Sequence, residues 1–170
     1  MDKYEEFMDI LKQNAGLTFD DTFISESLPQ VMSLAEVETM AQHLCWQLQA
    51  LERRGCSLLF WQAADIWWVN KKCYLLAVLE QVVPLHKKTP EQIMLTYPAI
   101  FPLPQAVCAP ELLKMNVLPF VTHKSLSYYS LALLCLQKVN LSLTELQGTK
   151  LFYFLERCLR EEPSERCLYF

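Results

Sequence analysis

Residues 33–55 read SLAEVETMAQHLCWQLQALERRG, and the rest of the chain is organised around them. Ser33 and Glu36 have the Ser-x-x-Glu spacing of a capping box, in which each side chain satisfies the other residue's free backbone N–H. Val37, Met40, Leu44, Leu48 and Leu51 then recur every three or four residues, the period of one helical face. Arg53 and Arg54 place cations in the last turn, where the helix dipole favours them. Gly55 follows as a left-handed cap. The spacing predicts a helix over 34–54.

Upstream, Tyr4, Phe7, Met8, Ile10 and Leu11 share a helical face in an acidic, amphipathic start unlike a signal peptide. Residues 14–32 show no period. Downstream, Ile66-Trp67-Trp68-Val69 and Tyr74-Leu75-Leu76-Ala77-Val78 are short β-prone runs around Asn70-Lys71-Lys72, which predicts one small hairpin. Residues 84–110 hold six prolines, Pro84, Pro90, Pro98, Pro102, Pro104 and Pro110. Proline lacks an N–H and fixes φ, so this span reads as an irregular loop, with a helical turn or two in TPEQIMLTY. Residues 125–139 are apolar on nearly every face, as in a helix buried on all sides. Residues 149–162 are amphipathic, and Pro163 ends that helix.

With 170 residues, 52% of them hydrophobic, one domain with a single core is expected. Fifteen basic and nineteen acidic residues give −4, and no basic block favours nucleic acid. The longest apolar runs are too short to span a bilayer. Seven cysteines without Cys-x-x-Cys spacing imply reduced thiols in a cytoplasmic setting. His43, His86 and His123 lie far apart in sequence, so no local zinc site is expected. Ser127, Ser130 and His123 lack an orienting acid and a nucleophile turn, so a hydrolase is not indicated. Cys108 has no neighbouring histidine to activate it.

Read in order, these elements resemble the C-terminal lobe of the protein-kinase fold over residues 33–170. Ala109-Pro110-Glu111 matches the Ala-Pro-Glu that closes a kinase activation segment. Pro163-Ser164-Glu165-Arg166 matches the later Pro-x-x-Arg, and Ser130-Leu131 keep part of the buried F-helix motif. The resemblance implies an internal ion pair between Glu111 and Arg166, a charge-assisted contact of the kind buried charges need. Residues 1–32 would be an N-terminal helix and covering segment.

The same alignment places Phe60 at the catalytic aspartate, Asp65 at the metal-binding asparagine and Val78 at the metal-binding aspartate. Phosphoryl transfer needs carboxylates there, and Phe60 and Val78 can neither take a proton nor bind Mg²⁺. Asp65 reads as a hairpin capping residue. No glycine-rich phosphate loop is present, since Gly16, Gly55 and Gly148 are isolated.

The expected fold is therefore mainly α with one small β-hairpin, a kinase C-lobe-like helical domain without the N-terminal lobe. The implied function is a non-enzymatic pseudokinase, similar to the kinase non-catalytic C-lobe (KIND) module, that binds a protein partner. No catalytic residue, metal or cofactor is expected, and neither nucleic acid nor membrane as partner. The alternative is a degenerate kinase-like regulator that still binds a nucleotide or modulates a true kinase. Trp67 and Trp68 point to opposite faces of their strand, and both are candidate partner contacts.

Overall fold

The computed structural model describes residues 25–77, 82–95, 105–114 and 119–170. The expected helix over residues 4–13 lies outside them. Helix α1 spans Leu34–Arg53, with Ser33 Oγ accepting from Glu36 N at 3.2 Å and Ser33 N donating to Glu36 Oε1 at 3.0 Å. Gly55 turns the chain at φ +77°, a conformation that costs glycine little.

Strand β3 (Ile66–Val69) pairs antiparallel with β4 (Cys73–Leu76), joining at Asn70 and Lys71, both with positive φ. On its other side β3 pairs with β1 (Ser25–Ser27), giving the order β1-β3-β4. One face of this sheet turns Ile66, Tyr74 and Leu76 into the main core.

The free edge of β4 is sealed by side chains of α1. Gln47 Oε1 accepts from Leu76 N at 2.9 Å, and Gln47 Nε2 donates to Tyr74 O at 2.9 Å. His43 Nδ1 accepts from Tyr74 N at 3.3 Å. An amide and an imidazole thus supply the ladder bonds that a further strand would make.

The expectation of a mainly α domain with one hairpin is overturned. The described residues are 46% helical and 20% extended, with four α-helices and three small antiparallel sheets, so the fold is mixed α and β. Strand β2 (Cys56–Leu58) pairs with β5 (Val82–Pro84), and β6 (Gln92–Leu95) pairs with β7 (Phe120–His123). A Leu85–Ile93 bridge and a His86 N to Gln92 O bond of 2.8 Å join these two pairs. The reason lies in where the prolines fall. Pro84 ends β5, a position where a missing N–H costs little. The apolar residues of TPEQIMLTY alternate in and out as β6 instead of turning as a helix: Ile93 is buried and Met94 exposed.

The remaining helices are α2 (Pro110–Leu113), α3 (Leu126–Val139) and α4 (Lys150–Cys158). Helix α4 stops at Cys158, before Pro163, which instead begins a short 3-10 turn. Helix α3 is the centre of the molecule. Its Leu131, Leu134 and Cys135 meet Met40, Leu44 and Leu48 of α1, Phe154 of α4, and Trp61 in the main core. A second cluster, Leu59, Phe60, Ile93, Cys108, Leu112 and Leu126, lies between the loop after β2, the β6–β7 pair and α2. Among the described residues no helix is long and apolar enough to cross a membrane.

Candidate functional site

Glu111 sits in the first turn of α2, after Pro110 at N1, where a carboxylate is favoured by the helix dipole. Arg166 follows the 3-10 turn Pro163–Glu165 near the end of the chain. The structure puts the two side by side. Arg166 Nη1 donates to Glu111 Oε1, and Nη2 donates to Oε2 at 3.1 Å, a bidentate geometry. The arginine side chain is fully buried, and that of the glutamate is 20% exposed. The guanidinium also donates to the carbonyls of Arg160 at 2.7 Å and Glu161 at 3.3 Å. Its central carbon lies over the Tyr129 ring, 4.8 Å from the centroid. Ser125 ties the same region together by donating from Oγ to Pro163 O at 2.7 Å.

Beside this pair opens a polar cleft of about 280 Å³ lined by Glu52, Glu91, His123, Lys124, Tyr128 and Arg166, among others. Its charges are largely spent on one another. Tyr128 donates to Glu52 Oε1 at 2.6 Å, and Lys124 Nζ lies 3.4 Å from Glu52 Oε2. Burial, reinforced by the Glu52 bond and charge, pushes the Tyr128 hydroxyl far above its usual range. His123 Nδ1 accepts from Ser125 N at 3.1 Å, and burial lowers its pKa. Sequence reasoning missed this network because Glu52 and Tyr128 are 76 residues apart. The only sequence signal was a glutamate near the end of the apolar-striped α1.

At the positions aligned with kinase chemistry, Phe60 is 3% exposed and packed inside the second apolar cluster. Asp65 is buried in a 3-10 turn, Ala63–Asp65, immediately before β3, and its carbonyl accepts from Ala77 N at 2.7 Å. Val78 lies outside the described residues.

The two tryptophans part company. Trp67 is 45% exposed, whereas Trp68 packs against the main core and stacks on Tyr74 with ring centroids 6.3 Å apart. Of the two candidate contacts, Trp67 is the more exposed.

Ser127 Oγ donates back to Lys124 O at 2.9 Å. Ser130 instead accepts from Trp61 N at 2.6 Å, fastening the loop after β2 to α3. Neither hydroxyl is hydrogen-bonded to His123. Burial pushes the Cys108 thiol up to about 11, against the thiolate a nucleophile requires. All seven cysteines are free thiols. Among the described residues no group of three or more His, Cys, Asp or Glu could hold a metal ion.

No protein-family model matches the chain, and no curated protein matches it.

Proposed function

We propose that the chain is a non-enzymatic protein–protein interaction module of the pseudokinase or KIND type. The reading rests on the resemblance of residues 33–170 to a kinase C-terminal lobe. The observation that carries it is Phe60. Where the resemblance would put a catalytic carboxylate, an aromatic ring is sealed at 3% exposure among Leu59, Ile93, Leu112 and Leu126. A group buried in apolar packing can neither receive a substrate proton nor reach a metal. Glu111 and Arg166 then serve as internal support, holding the C-terminal segment against α2. The half-exposed Trp67 supplies the kind of large amphipathic ring that interfaces favour. The free thiols accord with a reducing cytoplasm.

A thermal-shift titration with ATP and Mg²⁺ tests the absence of nucleotide binding. The midpoint should not move, and reproducible stabilisation would favour a nucleotide-binding regulator. Trp67→Ser tests the contact. The variant should melt with the wild type, and proximity crosslinking in cells should lose partners that the wild type retains. Equal crosslinking by both proteins removes Trp67 from the interface.

A further inference from the structure

Beyond Arg166 the chain turns back along α4. Arg157 Nη2 donates to Tyr169 O at 2.8 Å, and its guanidinium carbon lies 5.5 Å from the centre of the Tyr169 ring. The Phe170 ring meets Phe154 edge-on at 5.1 Å, and Lys150 Nζ lies 4.8 Å from the Phe170 ring centre. Cys158 Sγ, on the last residue of α4, donates to Cys167 O at 3.5 Å. Contacts on both sides hold the two cysteines together, Arg166 on Glu111 before them and Tyr169 on Arg157 after them.

Their surroundings are opposite. Cys158 is sealed in the main core, whereas Cys167 is exposed and lines the polar cleft, where dissolved reagents reach it. Burial pushes the Cys158 thiol up to about 12, and charge on Cys167 adds to the rise, so the two sulfurs lie within electrostatic reach of each other. The oxygen that Cys158 touches is three bonds from Cys167 Cβ. A disulfide needs its two Cβ atoms about 4 Å apart, so bridging takes a turn of χ1 and a local shift of the segment rather than a rearrangement of the core.

We propose that Cys167 and Cys158 form a peroxide-responsive pair, in which Cys167 takes the oxidant and Cys158 resolves it as an intramolecular disulfide. In the first step Cys167 Sγ attacks one oxygen of hydrogen peroxide. The S–O bond forms as the O–O bond breaks, and the thiol proton leaves with the departing hydroxide as water. In the second step Cys158 Sγ attacks Cys167 Sγ. The S–S bond forms, the S–O bond breaks, and the hydroxyl leaves with the Cys158 proton as a second water. Two thiols are oxidised and one peroxide is reduced. Exchange with a small thiol reverses the bridge. Access sets the roles: oxidant in the solvent meets Cys167 first, and Cys158 reacts only with a group that the chain itself delivers. The bridge closes a ring over residues 158–167, which contains Arg166 and the Arg160 and Glu161 carbonyls that hold its guanidinium. Oxidation therefore locks the segment that presents Arg166 to Glu111 and forms one wall of the cleft. Transient, redox-sensing bridges are the kind that occur among otherwise reduced thiols. This inference does not rest on the pseudokinase reading.

Equimolar hydrogen peroxide added to the full chain tests it, read by non-reducing peptide mapping and thiol alkylation. The wild type should lose two of its seven free thiols, lighten by two hydrogens, show the Cys158–Cys167 linkage within one chain, and recover with dithiothreitol. Cys167→Ser changes only an exposed side chain and should keep its remaining thiols reduced at the same dose. Cys158→Ala should strand Cys167 as a sulfenic acid, captured by dimedone at least about tenfold more than in the wild type. If Cys158→Ala fails to fold, the wild-type linkage map and Cys167→Ser still decide the matter. A wild type that keeps all its thiols, a Cys167 bridged to another cysteine or oxidised unbridged to sulfinic acid, or thiol loss that persists in Cys167→Ser overturns the proposal.

Discussion

Acidification should destabilise this protein through His43. The imidazole is 6% exposed, lies between Trp46 and Tyr74 at centroid distances of 5.6 and 5.9 Å, and uses Nδ1 to accept the Tyr74 N–H. An imidazolium has no acceptor to offer there. Burial accordingly lowers the His43 pKa to about 4 from 6.5. A base with a depressed folded-state pKa stabilises the fold fully above its unfolded value, near 6.5. That contribution is lost as the pH falls towards 4, because the unfolded chain takes up a proton that the folded one refuses. At about 1.4 kcal/mol per pH unit, the full window amounts to about 3 kcal/mol, and about 2 kcal/mol of it falls between pH 7 and pH 5. That is a large part of a typical domain's 5–15 kcal/mol, roughly. Urea unfolding at pH 7, 6 and 5 measures it, with His43→Asn as the reference, since its Oδ1 can still accept from Tyr74 but does not titrate. The wild type should lose about 2 kcal/mol more than the variant over that range. Other groups that titrate there, His123 among them, are shared by both proteins and cancel. Parallel pH slopes would refute the reasoning.

Three further outcomes are expected. Glu111→Gln removes the counter-charge of a fully buried guanidinium, and urea unfolding should show a loss of about 3 kcal/mol, moderated by the backbone carbonyls that still hold Arg166; a loss below about 1 kcal/mol would mean that the pair supports little. Gln47→Leu leaves Leu76 N–H and Tyr74 C=O without their partners, so chemical denaturation should register a cost of about 2–4 kcal/mol. An unchanged midpoint would show that the β4 edge needs no seal. Lys71→Gly relieves a lysine held at φ +54° and should raise the melting midpoint by an amount equivalent to about 1 kcal/mol; a lower midpoint would count against strain at that turn.

How much of this was legible in sequence depended on how local each feature is. Helix α1 is written in its own residues: a cap at Ser33, a stripe at three- and four-residue spacing, and Gly55 at the end. The β3–β4 hairpin is equally local, with its turn at Asn70-Lys71. Helix α3 shows in its near-continuous apolar run.

The other strands left almost no trace. β2 and β5 are three residues each, too short for alternation to register, and they pair across the whole hairpin. β6 and β7 are four residues each, and more than twenty residues lie between them. Prolines dominate that part of the chain and suggest a loop, although Pro84 falls at the last residue of β5 and Pro90 in the turn before β6. Gln47 and His43 sealing a strand edge was also hidden. On a helical wheel they look like ordinary polar positions, and their partners lie 27 to 31 residues away. The contact between Glu111 and Arg166 is likewise non-local, and only the resemblance singled out those two residues among the many charges.

The position of α3 has a consequence for how the chain is made. Lys138 reaches back to Pro29 across 109 residues, Tyr128 to Glu52 across 76 and Ser130 to Trp61 across 69. Closing loops of that length costs entropy before any contact repays it, and such topologies fold slowly. During synthesis, α1 and the β3–β4 hairpin can cover only part of each other's apolar faces, and the rest stays bare until residues 126–139 have followed. The nascent chain thus passes through a long interval as a sticky half-core, the stage at which chaperone binding and aggregation compete. A chain interrupted before α3 would remain in that state.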